Sequence, residues 1–275
     1  MAVGCSGSPA DSSSNVEPTR THAVFAIEQQ LSSLTESQAE IAVVLGVLRV
    51  PVAINSDRLL RLMGMGHEMP PVGTCEVVDE AHATRTALSS YERVELLDVG
   101  DVTLSTSGKT RKLSRQAFPT ITDFISGVLY TTREPASDFT VARSMSLRTH
   151  GSSATPAFTF SVDAVAPPEQ ILLDGSSLGE TTRLSIATTQ DIKWTKGKKG
   201  DVAWVELGAV AGTKTISCAF DDSVGAGSIP NMLTSELGEG RITFHRVSIR
   251  PLNVAYLDKV ETRFDVRISQ PVWLF

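Results

Sequence analysis

Five histidines, at positions 22, 67, 82, 150 and 245, are the side chains best suited to proton transfer or metal binding in this chain. No two stand two or four residues apart, the spacings that place a local ligand pair on one face of a strand or helix. His22, His67, His82, His150 and His245 therefore read as surface or rim residues, and His67-Glu68 runs straight into a Met69-Pro70-Pro71 loop. No Rossmann glycine pattern or phosphate-binding loop occurs. The G-x-S-x-G string of a hydrolase nucleophile elbow is expected to be absent, and no catalytic residue or cofactor is assigned. The best metal candidate is Asp221-Asp222-Ser223-Val224-Gly225, because carboxylates and turn carbonyls suit calcium. A turn in which Asp221 and Asp222 accept backbone hydrogen bonds explains the same residues more economically. Aromatic rings stack on pyranose faces, so Trp194, Trp204, Tyr256 and Trp273 are the candidates for a sugar-binding surface. Trp204 alternates against Ala203, Val205 and Leu207, which predicts an exposed or interfacial ring of the kind that marks contact. Packing against a neighbouring strand or domain is the competing reading.

These side chains need a frame, and period-two alternation supplies one. Phe139, Val141, Met145 and Leu147 share a strand face. Phe158, Phe160 and Val162 alternate with Thr159, Ser161 and Asp163, and Ile216, Cys218 and Phe220 with Thr215, Ser217 and Ala219. The longest run sets Val260, Thr262, Phe264, Val266 and Ile268 against Glu261, Arg263, Asp265, Arg267 and Ser269, which predicts one face in the core and one in water. Between Phe244 and Val247 the apolar phase slips, predicting a β-bulge near His245-Arg246. Turn clusters at Ser107-Gly108, 151–153, 175–177, 197–200 and 225–227 separate short strands, the pattern of sandwiches rather than α/β units. Helix is minor: Ser56 to Gly64 has a cap, apolar helical spacing and a terminal glycine, and Pro230 to Leu237 offers a further turn or two. Gln38 to Leu48 follows a capping-box-like Thr35-x-x-Gln38, but Ile41, Val43, Val44 and Val47 favour strand.

The expected fold is thus all-β: two tandem antiparallel β-sandwich domains, immunoglobulin-like or jelly-roll-like, with one or two short helices. The predicted boundary is Ala164 to Glu169, where Pro167-Pro168 follow a strand, giving domains at 21–166 and 167–275. At 275 residues the chain has room for both. A net charge of -6 disfavours a nucleic-acid partner, and Lys196-Gly197-Lys198-Lys199 reads as a solvated hairpin loop. No window approaches the ~20 apolar residues of a membrane helix. Residues 1–20 are poor in apolar side chains and predict a disordered tether. Cys75 and Cys218 fall in different predicted domains, and Cys218 lies on the apolar side of a strand. One bridge between them is open, but a buried thiol is the preferred state.

Ala2-Val3-Gly4-Cys5 resembles the end of a bacterial lipoprotein signal, in which the cysteine is acylated. That resemblance implies lipidation of Cys5 and anchoring by more than one acyl chain, with the Ser/Gly/Pro/Asp segment as a tether. Cys75-Glu76-Val77, Gly100 to Leu104, Thr155 to Phe158, Ile192-Lys193-Trp194, Val202 to Leu207, Ile216-Ser217-Cys218, Asp221-Asp222 with Gly227, and Ile229-Pro230 together resemble a family of predicted outer-membrane or surface lipoproteins of myxobacterial type. The family resemblance implies a lipid-anchored, β-rich, cell-envelope protein and carries no catalytic residues. The expected function is a non-catalytic structural, protein-interaction or adhesion role toward an unidentified surface protein or glycan. The membrane would be met through the lipid anchor only. The alternative is a carbohydrate-binding module using exposed aromatics, calcium-assisted near Asp221.

Overall fold

The computed structural model describes residues 18–31, 40–53, 56–66, 68–79, 94–106, 109–118, 125–132, 144–180, 183–185, 187–231 and 237–275. The N-terminal half supplies β1 (Thr19–Leu31), β2 (Glu40–Pro51), helix α1 (Ser56–Leu62), β3 (Thr74–Asp79), β4 (Val94–Leu96), β5 (Val102–Thr106), β6 (Lys109–Lys112), β7 (Ser114–Phe118), β8 (Ile125–Thr131), β9 (Ser144–Thr149) and β10 (Thr159–Asp163). The C-terminal half supplies β11 (Ile171–Leu173), β12 (Ser176–Ser177), a 3-10 turn (Leu178–Glu180), β13 (Arg183–Leu184), β14 (Gln190–Trp194), β15 (Val202–Ala209), β16 (Lys214–Asp221), β17 (Ala226–Ile229), β18 (Gly238–Leu252) and β19 (Lys259–Leu274). The all-β expectation holds. Strand also wins at 40–51, where β-branched residues on both faces of β2 outweigh the capping-box-like signal before it.

One large sheet organises the chain, in the order β3-β16-β15-β18-β19-β1-β2-β4-β8-β7, with β13 added beside β19. Two four-stranded sheets accompany it: β10-β9-β5-β6 from the N-terminal half and β12-β11-β14-β17 from the C-terminal half. The large sheet crosses the expected boundary at 166/167, because β1 runs parallel to β19 from His22↔Lys259 to Leu31↔Ile268 and β3 pairs with β16. It is therefore mixed, not antiparallel throughout, with further parallel pairing in β4–β8 and β13–β19. Cys75 stands directly opposite Cys218 in the β3–β16 register, and the two are joined by a disulfide. The preferred buried thiol is thus corrected: a pairing that spans both halves of the chain brings together two cysteines expected to lie apart.

Both small sheets pack on one face of the large sheet, here called the inner face. Phe25, Ile27, Val205, Ile242, Phe244, Phe264 and Ile268 meet Leu104, Leu147 and Phe160 from one small sheet and Ile171, Ile192 and Trp194 from the other in a single core. Ring contacts fasten each small sheet to the large one: Phe25 meets Phe160 edge-on at 5.6 Å and Trp194 meets Phe244 at 5.7 Å. Burying such rings is worth roughly 1.5–3 kcal/mol each. The outer face is covered in part by α1, whose Leu59 and Leu60, with Met65, pack on Val24, Ala26, Leu48 and Val50. Asp57 in the first turn and Arg61 in the last complement the helix dipole. Gly64, at φ +70, ends the helix as its pattern predicts.

The bulge expected at His245-Arg246 does not form. The β18–β19 register runs unbroken from Gly238↔Leu274 to Leu252↔Val260, and β15 pairs with β18 without interruption from Val202↔Val247 to Ala209↔Gly240. Phe244 and Val247 are buried on opposite faces of one central strand, so the apparent slip of phase is two-sided burial.

Candidate functional site

Charge gathers around β18 and β19. Glu261, Arg263 and Asp265, predicted to face water, are buried. The strand has neighbours on both edges and its outer face is not bare, so these groups must be neutralised within the protein. The same burial takes in His22 and His245, which the sequence reading assigned to the surface.

His245 projects from β18 between two carboxylates. Its Nδ1 lies 2.9 Å from Asp265 Oδ1 on β19, and its Nε2 lies 3.3 Å from Glu206 Oε2 on β15. The ring stacks on Trp204 with centroids 4.2 Å apart, and the Trp204 indole N–H donates to Ser217 Oγ at 2.6 Å. Burial alone would drive the imidazole neutral. The charge of Asp265, its hydrogen bond and the Glu206 carboxylate outweigh burial and raise the pKa to about 9. His245 is therefore an imidazolium at neutral pH, with Nδ1–H bonded to Asp265 and Nε2 in an ion-pair contact with Glu206. It has no free lone pair with which to act as a general base. Its role is to hold Glu206 and Asp265 in place.

A second cluster lies under α1. Glu261 Oε2 is 2.8 Å from Lys259 Nζ and 3.5 Å from His22 Nε2, while Arg263 Nε donates to Glu261 Oε1 at 2.6 Å. Arg263 also donates to Asp57 Oδ1 at 2.9 Å, tying the helix to β19. Burial pushes the Glu261 carboxyl up, but His22, Lys259 and Arg263 together bring it down to about 2.

A third cluster sits on the inner face. Arg246 Nε lies 2.8 Å from Asp222 Oδ2, and its remaining N–H groups reach Ala166 O at 3.0 Å and Thr195 O. Trp194 donates its indole N–H to Asp222 O at 3.2 Å. Burial raises the Asp222 pKa against the opposing pull of Arg246. Gly197, inside the lysine run, lets the 195–200 loop close over this carboxylate: a Cβ there would lie 1.7 Å from Asp222 Oδ2. That loop joins β14 of a small sheet to β15 of the large one, so it is a crossing between sheets rather than a hairpin.

The candidates read from sequence fare unevenly against this geometry. Asp222 is engaged by Arg246, and Asp221 accepts from the backbone N–H and hydroxyl of Ser223 at 2.9 and 2.6 Å. These two carboxylates serve a salt bridge and a turn, and no group of three metal-ligating side chains occurs among the described residues. Trp204, expected exposed or interfacial, is 6% exposed and Trp194 is 5%. Tyr256 is exposed in the β18–β19 turn, at φ 71. Cys5, His67, His82 and residues 232–236 of the second expected helix lie outside the described residues. His150 is exposed, its Nδ1 2.9 Å from Asp101 O. Gly175-Ser176-Ser177-Leu178-Gly179 does spell the G-x-S-x-G string, which corrects its expected absence. Ser177 ends a two-residue strand of a β11–β12 hairpin, without the strand-to-helix elbow that exposes a nucleophile.

Glu206, Arg246, Glu261, Arg263 and Asp265 were not singled out from the sequence. The available signal was the phase slip at His245-Arg246 beside the charge-rich alternate face of β19, a pairing that marks central strands buried on both sides.

No family model matches the sequence, and no curated protein matches it. Among solved structures the chain is similar to the Fcho1 Mu homology domain of Danio rerio with bound Eps15 peptide, at TM-score 0.27 and 10% identity over 94% of this chain and 97% of that one. It is also similar to a structure of a bacterial ice-binding adhesin, at TM-score 0.20 and 13% identity over 93% of this chain and 66% of that one. Overlaps this low carry no argument about fold or function.

Proposed function

We propose that this chain is a non-catalytic component of a bacterial cell envelope, lipid-anchored at Cys5, with a structural, protein-interaction or adhesion role. The observation that carries the reading is the Cys75–Cys218 disulfide. Disulfides persist in oxidising compartments and are rare in the cytosol. The ion pairing of two buried groups also supports it. His245 and Glu261 are held in ion pairs that shift them away from neutral pKa values, which suits a rigid scaffold better than proton transfer.

The test is to express the chain with its upstream DNA in a bacterial host, fractionate the cells, and alkylate with and without reduction before intact-mass measurement. The expected outcome is an envelope-associated protein that starts at an acylated Cys5. Cys75 and Cys218 should become alkylated only after reduction. A cytosolic protein with all three thiols free would overturn the proposal.

A second reading, carbohydrate recognition, is favoured by Trp273. It is the exposed tryptophan of the three, at 48%, and stands opposite Glu239, two residues along β18 from Arg241. Asp222 is engaged by Arg246, so Asp221 is the carboxylate left for the calcium assistance of this reading.

A further inference from the structure

At the corner where β15, β16 and β18 meet, the outer face sinks into a depression of about 360 Å³ lined by Glu206, Gly208, Val210, Thr215, Arg241 and Thr243. This falls within the ~300–1,000 Å³ range of small-molecule sites. Pairing register explains the grouping. Glu206 stands opposite Thr243 and Ser217, and Gly208 opposite Arg241 and Thr215, so all project from one side of the sheet. Gly208 leaves the floor open: a Cβ there would lie 2.9 Å from Thr215 Oγ1 and 3.2 Å from Lys214 O.

One pleat beyond Arg241 on the same face, Trp273 stands opposite Glu239. Val210, whose N–H donates to Glu239 O at 2.8 Å, flanks it. Trp273 and Val210 are both among the exposed large apolar side chains.

The charges in the hollow are not equivalent. Glu206 is held by the His245 imidazolium at 3.3 Å, and that ring is fixed in turn by Asp265. Glu206 is thus an oriented acceptor whose charge is largely answered from behind. Arg241 is exposed, with no ion-pair or hydrogen-bond partner among the described residues. The hollow therefore offers a guanidinium without a partner among the described residues, a carboxylate and threonine hydroxyls, with the Trp273 indole one pleat beyond Arg241 on the same face.

We propose that this corner binds an acidic saccharide, a pyranose ring bearing a carboxylate. The Arg241 fork takes the sugar carboxylate, a planar pairing that guanidinium favours. Glu206 and Thr215 take ring hydroxyls, and Trp273 covers the apolar face of the ring. The assignment rests on the reading of the chain as a non-catalytic binding protein and supplies a ligand class for it.

The test measures binding of tri-galacturonate and of neutral galactotriose to the full chain, by calorimetry and tryptophan fluorescence at low salt. Tri-galacturonate is expected to bind at least tenfold tighter than galactotriose. Arg241→Gln should remove that preference, and Trp273→Ala should weaken both ligands about tenfold. Val52→Ala, exposed just past the end of β2, should change neither. Equal affinity for the two sugars, wild-type binding by the Arg241 or Trp273 variant, or a matching loss in Val52→Ala would overturn the proposal. Absence of binding by an envelope-located, disulfide-bonded protein would sink the site alone. Shortened oligosaccharides released by the wild type would sink the non-catalytic reading and leave the site standing.

Discussion

Replacing His245 with glutamine, and separately raising the pH, probes the buried carboxylate–imidazolium–carboxylate array directly. The imidazole pKa moves from 6.5 to about 9 on folding. At about 1.4 kcal/mol per unit, the protonated form contributes about 3 kcal/mol to stability. Because the folded pKa lies above the unfolded one, that contribution is complete below about pH 6.5 and disappears as pH rises through about 9. Glutamine cannot carry the charge, so Asp265 would stay buried without its cation, at a cost of roughly 3–5 kcal/mol. The assay is urea unfolding from about pH 6 to about pH 10, with the His245 ring followed by NMR. The wild type should lose about 3 kcal/mol over that range, and the gap between it and His245→Gln should narrow by the same amount. A ring titrating near 6.5, or equal pH slopes for both proteins, would refute the account of His245 as a buried imidazolium.

Glu261 works in the opposite direction. Its folded pKa of about 2 lies below the ordinary glutamate value of 4.5, so its contribution is present above about pH 4.5 and lost as pH falls through about 2. Acid unfolding of Glu261→Gln should accordingly show a shallower pH slope below pH 4.5 than the wild type. Arg246→Met leaves the buried Asp222 carboxylate uncompensated and releases the Ala166 and Thr195 carbonyls. A loss of about 3–5 kcal/mol in chemical denaturation is expected, and a change below about 1 kcal/mol would show that the pair is dispensable. Reducing Cys75–Cys218 opens a loop spanning 143 residues, worth about 5 kcal/mol by chain entropy as an upper bound and more often about 2–4. The thermal midpoint should fall on adding a thiol reductant to the wild type and stay unchanged in a Cys75→Ser/Cys218→Ser protein.

Local pattern was enough to reveal the strands. The alternation of Val260, Phe264, Val266 and Ile268 marked β19, Ile216 and Cys218 marked β16, and the Ser56 to Gly64 cap, apolar spacing and glycine marked α1. Each of these features lies within a dozen residues, where side-chain periodicity reports which side of a strand or helix is apolar. The second side is a different matter. Whether Glu261, Arg263 and Asp265 meet water depends on what lies beside and above β19, and that is settled by β1, more than 200 residues earlier in the chain. Other non-local pairings decided three further things: β3–β16 joined Cys75 to Cys218, the place of β18 between β15 and β19 made the Phe244–Val247 phase slip a doubly buried strand rather than a bulge, and β15–β18 set Trp204 against His245 on the outer face. Of the proposed sugar site, the sequence offered Trp273 only as one of four aromatic candidates, with Trp204 preferred. Arg241, Glu206 and Thr215 did not stand out, because they belong to three strands and share a face only through register. Residue order determined the elements and the compositional cues at Cys5. Tertiary pairing decided which charges are buried and which stay available, because desolvation depends on neighbours that the local sequence does not contain.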